Sequence, residues 1–262
     1  MQKNKVKIIG AVIGAITLTV TLLFTGKDKP FTNVKYKDRS AIHVLISSGH
    51  GSILNSIYQT LGKQSPTWAD SLKIYEGYST KMLALDLSHK LMQNNIDVTY
   101  INAYNTDMTL NERVQRVNEL YKNDKRVILI DIHHNAQPIG KANYTDFEGY
   151  KGFVNSPFGA TGIETFTSVG FTESDIINNE FIIPELENDF QFRYGTWTKG
   201  KEENFYMLKH SHCPAVLIEF LFMTTYEDCL LIADPEQRDL FTTHITNALV
   251  NYNNYLNSKG NE

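Results

Sequence analysis

Three short apolar runs rich in β-branched residues constrain the fold of this chain more than any other feature. They cover residues 42–46, 127–132 and 215–218, and each is bounded by turn-forming or polar residues. Almost continuous apolar runs of this length are typical of strands buried on both faces, although periodicity alone does not distinguish them from buried helical segments. We expect them to form the central strands of a sheet that is covered on both sides.

Stretches with helical spacing separate these runs. We expect helices over residues 76–94, 110–121 and 235–256, where apolar residues recur on one stripe. In the first of them, the predicted stripe comprises Met82, Leu83, Leu85, Leu87 and Leu91. Residues 97–101 and 162–167 are predicted to be two further strands. Strands that alternate with helices predict an α/β fold, with a single open twisted mixed sheet and helices on both faces.

The composition of the chain limits the functions it can have. With 262 residues, 42% of them hydrophobic, the chain can form one well-packed domain. A net charge of -4 leaves no overall basic surface, so we expect no nucleic-acid partner. The two cysteines, Cys213 and Cys229, are too few for a disulfide framework and lack the spacing of a structural zinc site. A bound metal would therefore be held by nitrogen and oxygen ligands.

Four acidic and imidazole side chains stand where an α/β sheet binds its ligands. His50, His133 and Glu219 each follow one of the apolar runs, and Glu76 opens the first predicted helix. In open α/β sheets, ligands bind outside the carboxyl ends of the strands. A catalytic zinc site needs three protein ligands, an open position for water and a nearby carboxylate that takes the proton of the water. These four residues can supply that set.

Taken singly, each of these residues has an ordinary structural explanation. A histidine in a glycine turn is weak support for a metal site, and Glu76 can simply stabilise a helix start through the helix dipole. Glu219 is different, because a charge enclosed by apolar neighbours needs a partner or a metal. Strand alternation puts Asp131 on the same face as His133, so Asp131 can accept the second ring N–H of a ligating His133.

Several motifs in order along the chain resemble one enzyme family. From about His43 to Tyr255 the chain is similar to the zinc-dependent N-acetylmuramoyl-L-alanine amidases called type 3 amidases, which cut the bond between muramic acid and the stem peptide of peptidoglycan. The matching segments are Gly49-His50-Gly51, Tyr75-Glu76-Gly77, Leu110-Asn111-Glu112-Arg113, Ile132-His133-His134-Asn135-Ala136, Gly162-Ile163-Glu164, residues 204–209 and residues 214–219.

This resemblance implies a mechanism and a ligand set. His50, Glu76 and His133 would hold Zn²⁺, and Glu219 would act first as the general base and then as the general acid. Peptidoglycan would be the substrate. Glu112 and Arg113 are interpreted as a structural pair on a helix, without a catalytic role.

In detail, the chain departs from the usual pattern of the family. Ser47 stands where the family usually has aspartate, and Asp131 stands where it often has serine. The segment 61–66, Leu-Gly-Lys-Gln-Ser-Pro, resembles amidases of Bacteroidetes and their phages. Residues 139–156 and 193–204 are rich in aromatic or basic residues, and either segment could contact anionic stem peptides.

The amino terminus has the composition of a membrane segment. Lys3, Lys5 and Lys7 precede an uncharged stretch from Ile8 to Gly26, and no small-residue cleavage motif ends it. The stretch is near the lower length limit for spanning a bilayer and longer than most signal-peptide cores, so we favour an uncleaved anchor. The preceding lysines favour a cytoplasmic amino terminus, which places the catalytic domain outside the cytoplasm, on the periplasmic face. Secretion after signal removal is the alternative.

These expectations divide the chain into three parts. Residues 1–29 are predicted to be the membrane anchor or signal segment, residues 30–41 a linker, and residues 42–257 the zinc amidase domain. Two other functions stay open from the residues alone: a zinc carboxypeptidase acting on wall peptides, and an inactive peptidoglycan-binding module. The first is disfavoured because carboxypeptidases usually carry a His-x-x-Glu pair, and Glu76 is far from His50 in sequence. The second has no need of Glu219. Protein partners are not indicated.

Overall fold

The core of the molecule is a six-stranded sheet, seen here in a computed structural model. The structure describes residues 40–68, 70–137, 160–193 and 200–259. The predicted anchor and nearly all of the predicted linker lie outside these residues. Within the described part of the chain, no helix is both long and apolar enough to cross a membrane.

The strands appear where the apolar runs predict them. In chain order they are β1 (His43–Ser48), β2 (Ile53–Leu54), β3 (Ile57–Tyr58), β4 (Asp97–Tyr100), β5 (Val127–Asn135), β6 (Glu164–Thr167), β7 (Lys201–Glu202) and β8 (Ala215–Phe222). The order across the sheet is β4-β1-β5-β8-β6-β7, while β2 and β3 form a separate hairpin. Strands β4, β1, β5 and β8 are parallel, and β6 is antiparallel to β8. The sheet is therefore mixed, as predicted.

Helices cover both faces of this sheet. In chain order they are α1 (Glu76–Gln93), α2 (Leu110–Asn123), α3 (Thr172–Ile176), α4 (Ile183–Leu186), α5 (Tyr206–His210), α6 (Tyr226–Ala233) and α7 (Pro235–Lys259), with a π-helical turn (Ile177–Ile182) between α3 and α4. Alternate residues of β1 point to opposite faces. Val44 and Ile46 pack with residues of α1 and α7, whereas Leu45 packs with residues of α2 and α5. Burial on both faces explains why the strand runs are almost continuously apolar.

The predicted stripe of α1 is only partly correct. Leu83, Leu87 and Leu91 are fully buried, but Met82 and Leu85 are 44% and 41% exposed. The buried face of α1 continues through small residues instead, such as Ala84. Small residues let the helix approach the sheet closely, and a search for large apolar residues overlooks them.

Strand direction and register place the functional side chains at one edge of the sheet. The parallel strands β1, β5 and β8 all end at this edge, and His50 follows β1 by two residues. His133 on β5 and Glu219 on β8 are direct neighbours in register. Because alternate residues share a face, both side chains lie on the face of the sheet that α2 and α5 cover.

Candidate metal centre and active site

Three side chains from distant parts of the chain meet at the carboxyl edge of the sheet. Single ligand atoms of His50, Glu76 and His133 all lie within 4.8 Å of one another. His50 Nε2 is 3.1 Å from Glu76 Oε2, and His133 Nδ1 is 3.1 Å from Glu76 Oε1. Each carboxylate oxygen of Glu76 therefore faces one imidazole ring.

The chemistry and spacing of these donors fit a zinc ion. Two imidazole nitrogens and one carboxylate are a known ligand set for catalytic zinc, which leaves a fourth position for water. Ligand atoms at about 2.0–2.1 Å from a tetrahedral zinc lie about 3.3 Å from one another. The two 3.1 Å separations around Glu76 are close to that value. The three residues therefore suit the metal that the family resemblance implies.

The turn that carries His50 is held by a buried arginine. His50 has a left-handed backbone with a φ of 60°, which is uncommon for a residue other than glycine. Arg113, only 2% exposed, donates hydrogen bonds to the carbonyl oxygens of Ser48 at 2.5 Å and His50 at 3.1 Å. The predicted pairing of Arg113 with Glu112 is wrong, because Glu112 instead forms a capping box with Thr109. In the sequence, the position of Arg113 next to Val114 and four residues before Val117 indicates that Arg113 lies on the buried face of α2.

Glycines in this region allow side chains and backbone to approach one another. A Cβ added at Gly49 would lie 2.6 Å from His133 Nδ1 and 3.0 Å from Glu76 Oε1. A Cβ at Gly77 would lie only 2.0 Å from the carbonyl oxygen of Gly51. Gly49 therefore leaves room for the candidate ligands His133 and Glu76, and Gly77 lets the start of α1 approach the turn that carries His50.

Glu76 is held as a carboxylate in a buried position. It is 2% exposed and is the first residue of α1. Burial raises the pKa of this carboxyl, but the hydrogen bonds and positive charge of His133 and His50 outweigh burial and hold the pKa well below its usual range. The ionised form is the one that binds a metal.

Asp131 lies behind His133, on the side away from Glu76. Its Oδ2 atom is 3.5 Å from His133 Nε2, so the two ring nitrogens of His133 face two different carboxylates. Burial raises the pKa of Asp131, yet the nearby positive charge of His133 outweighs burial and brings it below its usual value. Neither oxygen of Asp131 has a hydrogen-bond partner among the described residues. Ser47 is the register partner of Asp131 on β1, and both are fully buried. Asp131 thus occupies the place from which a carboxylate can orient a ligating histidine.

Glu219 lies beside the cluster, and no ion pair holds it among the residues that the structure describes. Its Oε2 atom is buried and forms no hydrogen bond within the described residues. Burial raises the pKa of Glu219 to about 7, and the carboxylates of Glu76 and Asp131 add to the shift, while His133 opposes it. A carboxyl group with a pKa near neutrality can both accept and release a proton.

A second buried carboxylate lies next to Glu219, and this one forms ion pairs with two basic side chains. Glu164 on β6 is the register partner of Glu219. It accepts hydrogen bonds from Lys201 at 2.6 Å, Arg193 at 3.0 Å and the side-chain amide of Asn135 at 2.6 Å. The segment 193–204, expected to contact stem peptides, therefore uses two of its cations to hold Glu164. The sequence showed Glu164 only as part of a motif, and its partners are distant in the chain.

The additional histidines of the motifs have structural contacts. His134 is buried, with Nδ1 at 2.6 Å from the carbonyl oxygen of Phe220 and Nε2 at 2.9 Å from Ser79 Oγ. Burial lowers the pKa of His134 to about 4, so it is neutral at physiological pH. The ring of His210 packs against Tyr206 at a tilt of 44°, with a centroid distance of 4.4 Å. Neither ring reaches the His50–Glu76–His133 cluster as a fourth ligand.

The cluster opens into a cleft with a volume of about 560 Å³. Leu110 lines it from α2, Tyr206 and the preceding Phe205 line it from the start of α5, and residues 62–64 line it from the loop before α1. The aromatic segment 139–156 and residues 194–199 lie outside the described residues, so their predicted contacts with substrate stay predictions.

Sites of this kind occur in hydrolases that use a bound metal to activate water. A comparison with known protein families identifies the family of hydrolases to which this chain is similar. Residues 44–251 match the Amidase_3 family, described as N-acetylmuramoyl-L-alanine amidase. Because this match spans most of the chain, the chain belongs to that family of peptidoglycan hydrolases.

Solved structures agree with the family assignment. An N-acetylmuramoyl-L-alanine amidase from Clostridium difficile 630 is 26% identical, with a TM-score of 0.62 over 81% of this chain and 97% of that chain. Two more distant structures share the fold. Ami1 from Mycobacterium smegmatis is 16% identical, with a TM-score of 0.60 over 83% and 99%, and AmiC2 of Nostoc punctiforme is 19% identical, with a TM-score of 0.57 over 82% and 98%. No curated protein sequence matches the chain.

Proposed function

We propose that this chain hydrolyses the amide bond between N-acetylmuramic acid and L-alanine with a zinc ion held by His50, Glu76 and His133. The observation that carries the proposal is the meeting of these three donors beside the buried carboxylate of Glu219. When bound, zinc supplies Lewis-acid activation, which polarises a carbonyl group and lowers the pKa of water from about 15.7 toward 7.

In this proposal, the residues around the metal transfer the proton and hold the ligands in position. Glu219 takes a proton from the attacking water and passes it to the departing amine of L-alanine, for which its pKa near 7 is suited. Asp131 holds the ring of His133 with Nδ1 toward Glu76. Arg113 holds the carbonyl groups on either side of Gly49, and so fixes the turn of His50.

The bond cleaved and the metal dependence are tested in one digestion. Purified peptidoglycan treated with the full chain is expected to release new amino-terminal L-alanine. Treatment with 1,10-phenanthroline should abolish the release, and added zinc should restore it. Free carboxyl-terminal amino acids would instead indicate a carboxypeptidase, and binding without release would indicate a binding module. Cleavage that continues after complete removal of metal would contradict the role of zinc.

We also propose that residues 1–29 anchor the enzyme in a membrane, with the catalytic domain on the periplasmic face. The uncharged stretch from Ile8 to Gly26 and the lysines before it support this proposal. The full chain is expected to stay in the membrane pellet after a carbonate wash, and added protease should reach its catalytic domain from the periplasmic side. A chain that begins at residue 30 serves as the control and should be recovered without the membrane. Release of the full chain by the wash would contradict the anchor.

A further inference from the structure

We propose that Lys63 provides a binding site for a free carboxylate of the stem peptide, so that the enzyme prefers substrates whose residue after L-alanine is acidic. This inference rests on the proposed amidase function and extends it to substrate selection. It also gives a role to the segment 61–66, which the mechanism leaves unused.

The backbone of Lys63 is fixed directly to a candidate metal ligand. Its carbonyl oxygen accepts hydrogen bonds from the backbone N–H of Glu76 at 3.1 Å and from the hydroxyl of Tyr58 at 2.6 Å. An isolated antiparallel bridge between Gln64 and Tyr75 ties down the next residue. The loop therefore holds Lys63 at a defined place on the same wall of the cleft as Glu76.

The ammonium group of Lys63 is available to a ligand. The residue is exposed and lines the cleft, and its ammonium group has no ion pair or hydrogen bond among the described residues. Of the described residues that line the cleft, Lys63 is the one lysine or arginine. The situation of Lys201 is different, because its ammonium is paired with Glu164 at 2.6 Å.

The charges in the cleft explain why a cation matters there. Glu76, Asp131 and Glu219 all line the cleft, so three carboxylates stand against the two positive charges of the proposed zinc ion, and an anionic peptide gains from a further cation there. Lys63 supplies such a cation from the wall of the cleft that carries Glu76. Its long, flexible stem allows the ammonium to reach a carboxylate while it stays in contact with water.

The spacing of the substrate identifies which carboxylate fits best. In the proposed reaction the leaving group is the amine of L-alanine, so the peptide extends from the reacting bond along the cleft. The residue after L-alanine begins about 3.5 Å further along an extended chain. Where the peptide runs along the wall that carries Glu76 and Lys63, an acidic residue at this position brings its carboxylate to Lys63.

The test uses two muramoyl tripeptides that differ in one group. Both carry L-alanine and then D-glutamate linked through its γ-carboxyl, and the α-carboxyl of the D-glutamate is free in one and amidated in the other. The Lys63→Gln variant is expected to raise KM for the free carboxylate about fivefold, the range of a partly solvated ion pair, with little change in kcat. KM for the amidated substrate should be nearly unchanged. Lys122→Gln, on the exposed end of α2, is the matched control.

The outcomes of this test separate the proposed carboxylate site from the proposed amidase function. An equal rise in KM for both substrates, or no rise for either, would overturn the proposed carboxylate site while leaving the amidase function intact. Failure of the unchanged enzyme to release L-alanine amino termini from either substrate would instead contradict the amidase function. Zinc content and melting temperature of Lys63→Gln should equal those of the unchanged chain, which separates a binding effect from an altered fold.

Discussion

The Glu219→Gln variant is expected to bind zinc normally and to lose turnover by a factor of about 10²–10⁴, the usual contribution of a general base. Glutamine has nearly the same shape as glutamate, but it cannot accept the proton of the attacking water. The three candidate ligands do not include Glu219, so the metal site is expected to stay intact. Burial raises the pKa of Glu219 to about 7, which means that the charged form is costly in this position. A neutral amide there should therefore fold at least as well.

The measurement combines turnover on peptidoglycan with the zinc content of the same sample. Glu119→Gln is the matched control, because Glu119 lies on the exposed side of α2 and should leave turnover unchanged. Retention of more than about a tenth of the activity in Glu219→Gln would assign proton transfer to another group. Loss of zinc from this variant would instead mean that Glu219 is a ligand.

The His133→Ala variant is expected to differ from Glu219→Gln, because it should lose both zinc and activity. Removing one of three protein ligands leaves Glu76 and His50, which is too few for a stable catalytic zinc site. The His133→Ala change also removes the partner of the fully buried Asp131. An unpaired buried charge costs about 3–5 kcal/mol, so the free energy of unfolding should fall as well.

Zinc titration against a competing chelator measures this loss directly. His50→Ala provides a second variant, because the buried carboxylate that His50 contacts, Glu76, keeps its contact with His133 when His50 is removed. This variant should keep a melting temperature near that of the metal-free protein and still lose zinc. His89→Ala, on the exposed side of α1, is the control that should retain it. Stoichiometric zinc in His133→Ala would remove His133 from the ligand set.

Local sequence patterns were sufficient for the elements that carry the site. The runs before His50, around His133 and before Glu219 form strands, as predicted. Their pattern could be recognised because a strand that is buried on both faces is apolar along its length. Glu76 begins α1, as its pattern predicted. If the three strands are parallel neighbours in one sheet, their carboxyl ends lie at the same edge, and the residues that follow them are expected to meet there.

Contacts between distant segments were not predictable in the same way. Arg113 was assigned to a pair on its own helix, whereas its guanidinium reaches the carbonyl oxygens of Ser48 and His50. Glu164 depends on Lys201, which the pairing of β6 with β7 brings near it, and on Arg193, whose backbone N–H bonds to the carbonyl oxygen of Ile163. The short helical segments between residues 172 and 186 were missed as well, because a π-helical turn interrupts the ordinary helical spacing.

The register pair of Ser47 and Asp131 bears on how related chains are compared. The two positions face each other on β1 and β5, and the family resemblance implies that the usual aspartate and serine stand exchanged between them in this chain. On that comparison, an acidic side chain at either of the two positions lies in the same small volume between β1 and β5. Two enzymes that differ at both positions can conserve this acidic group in space while an alignment, read column by column, records two losses.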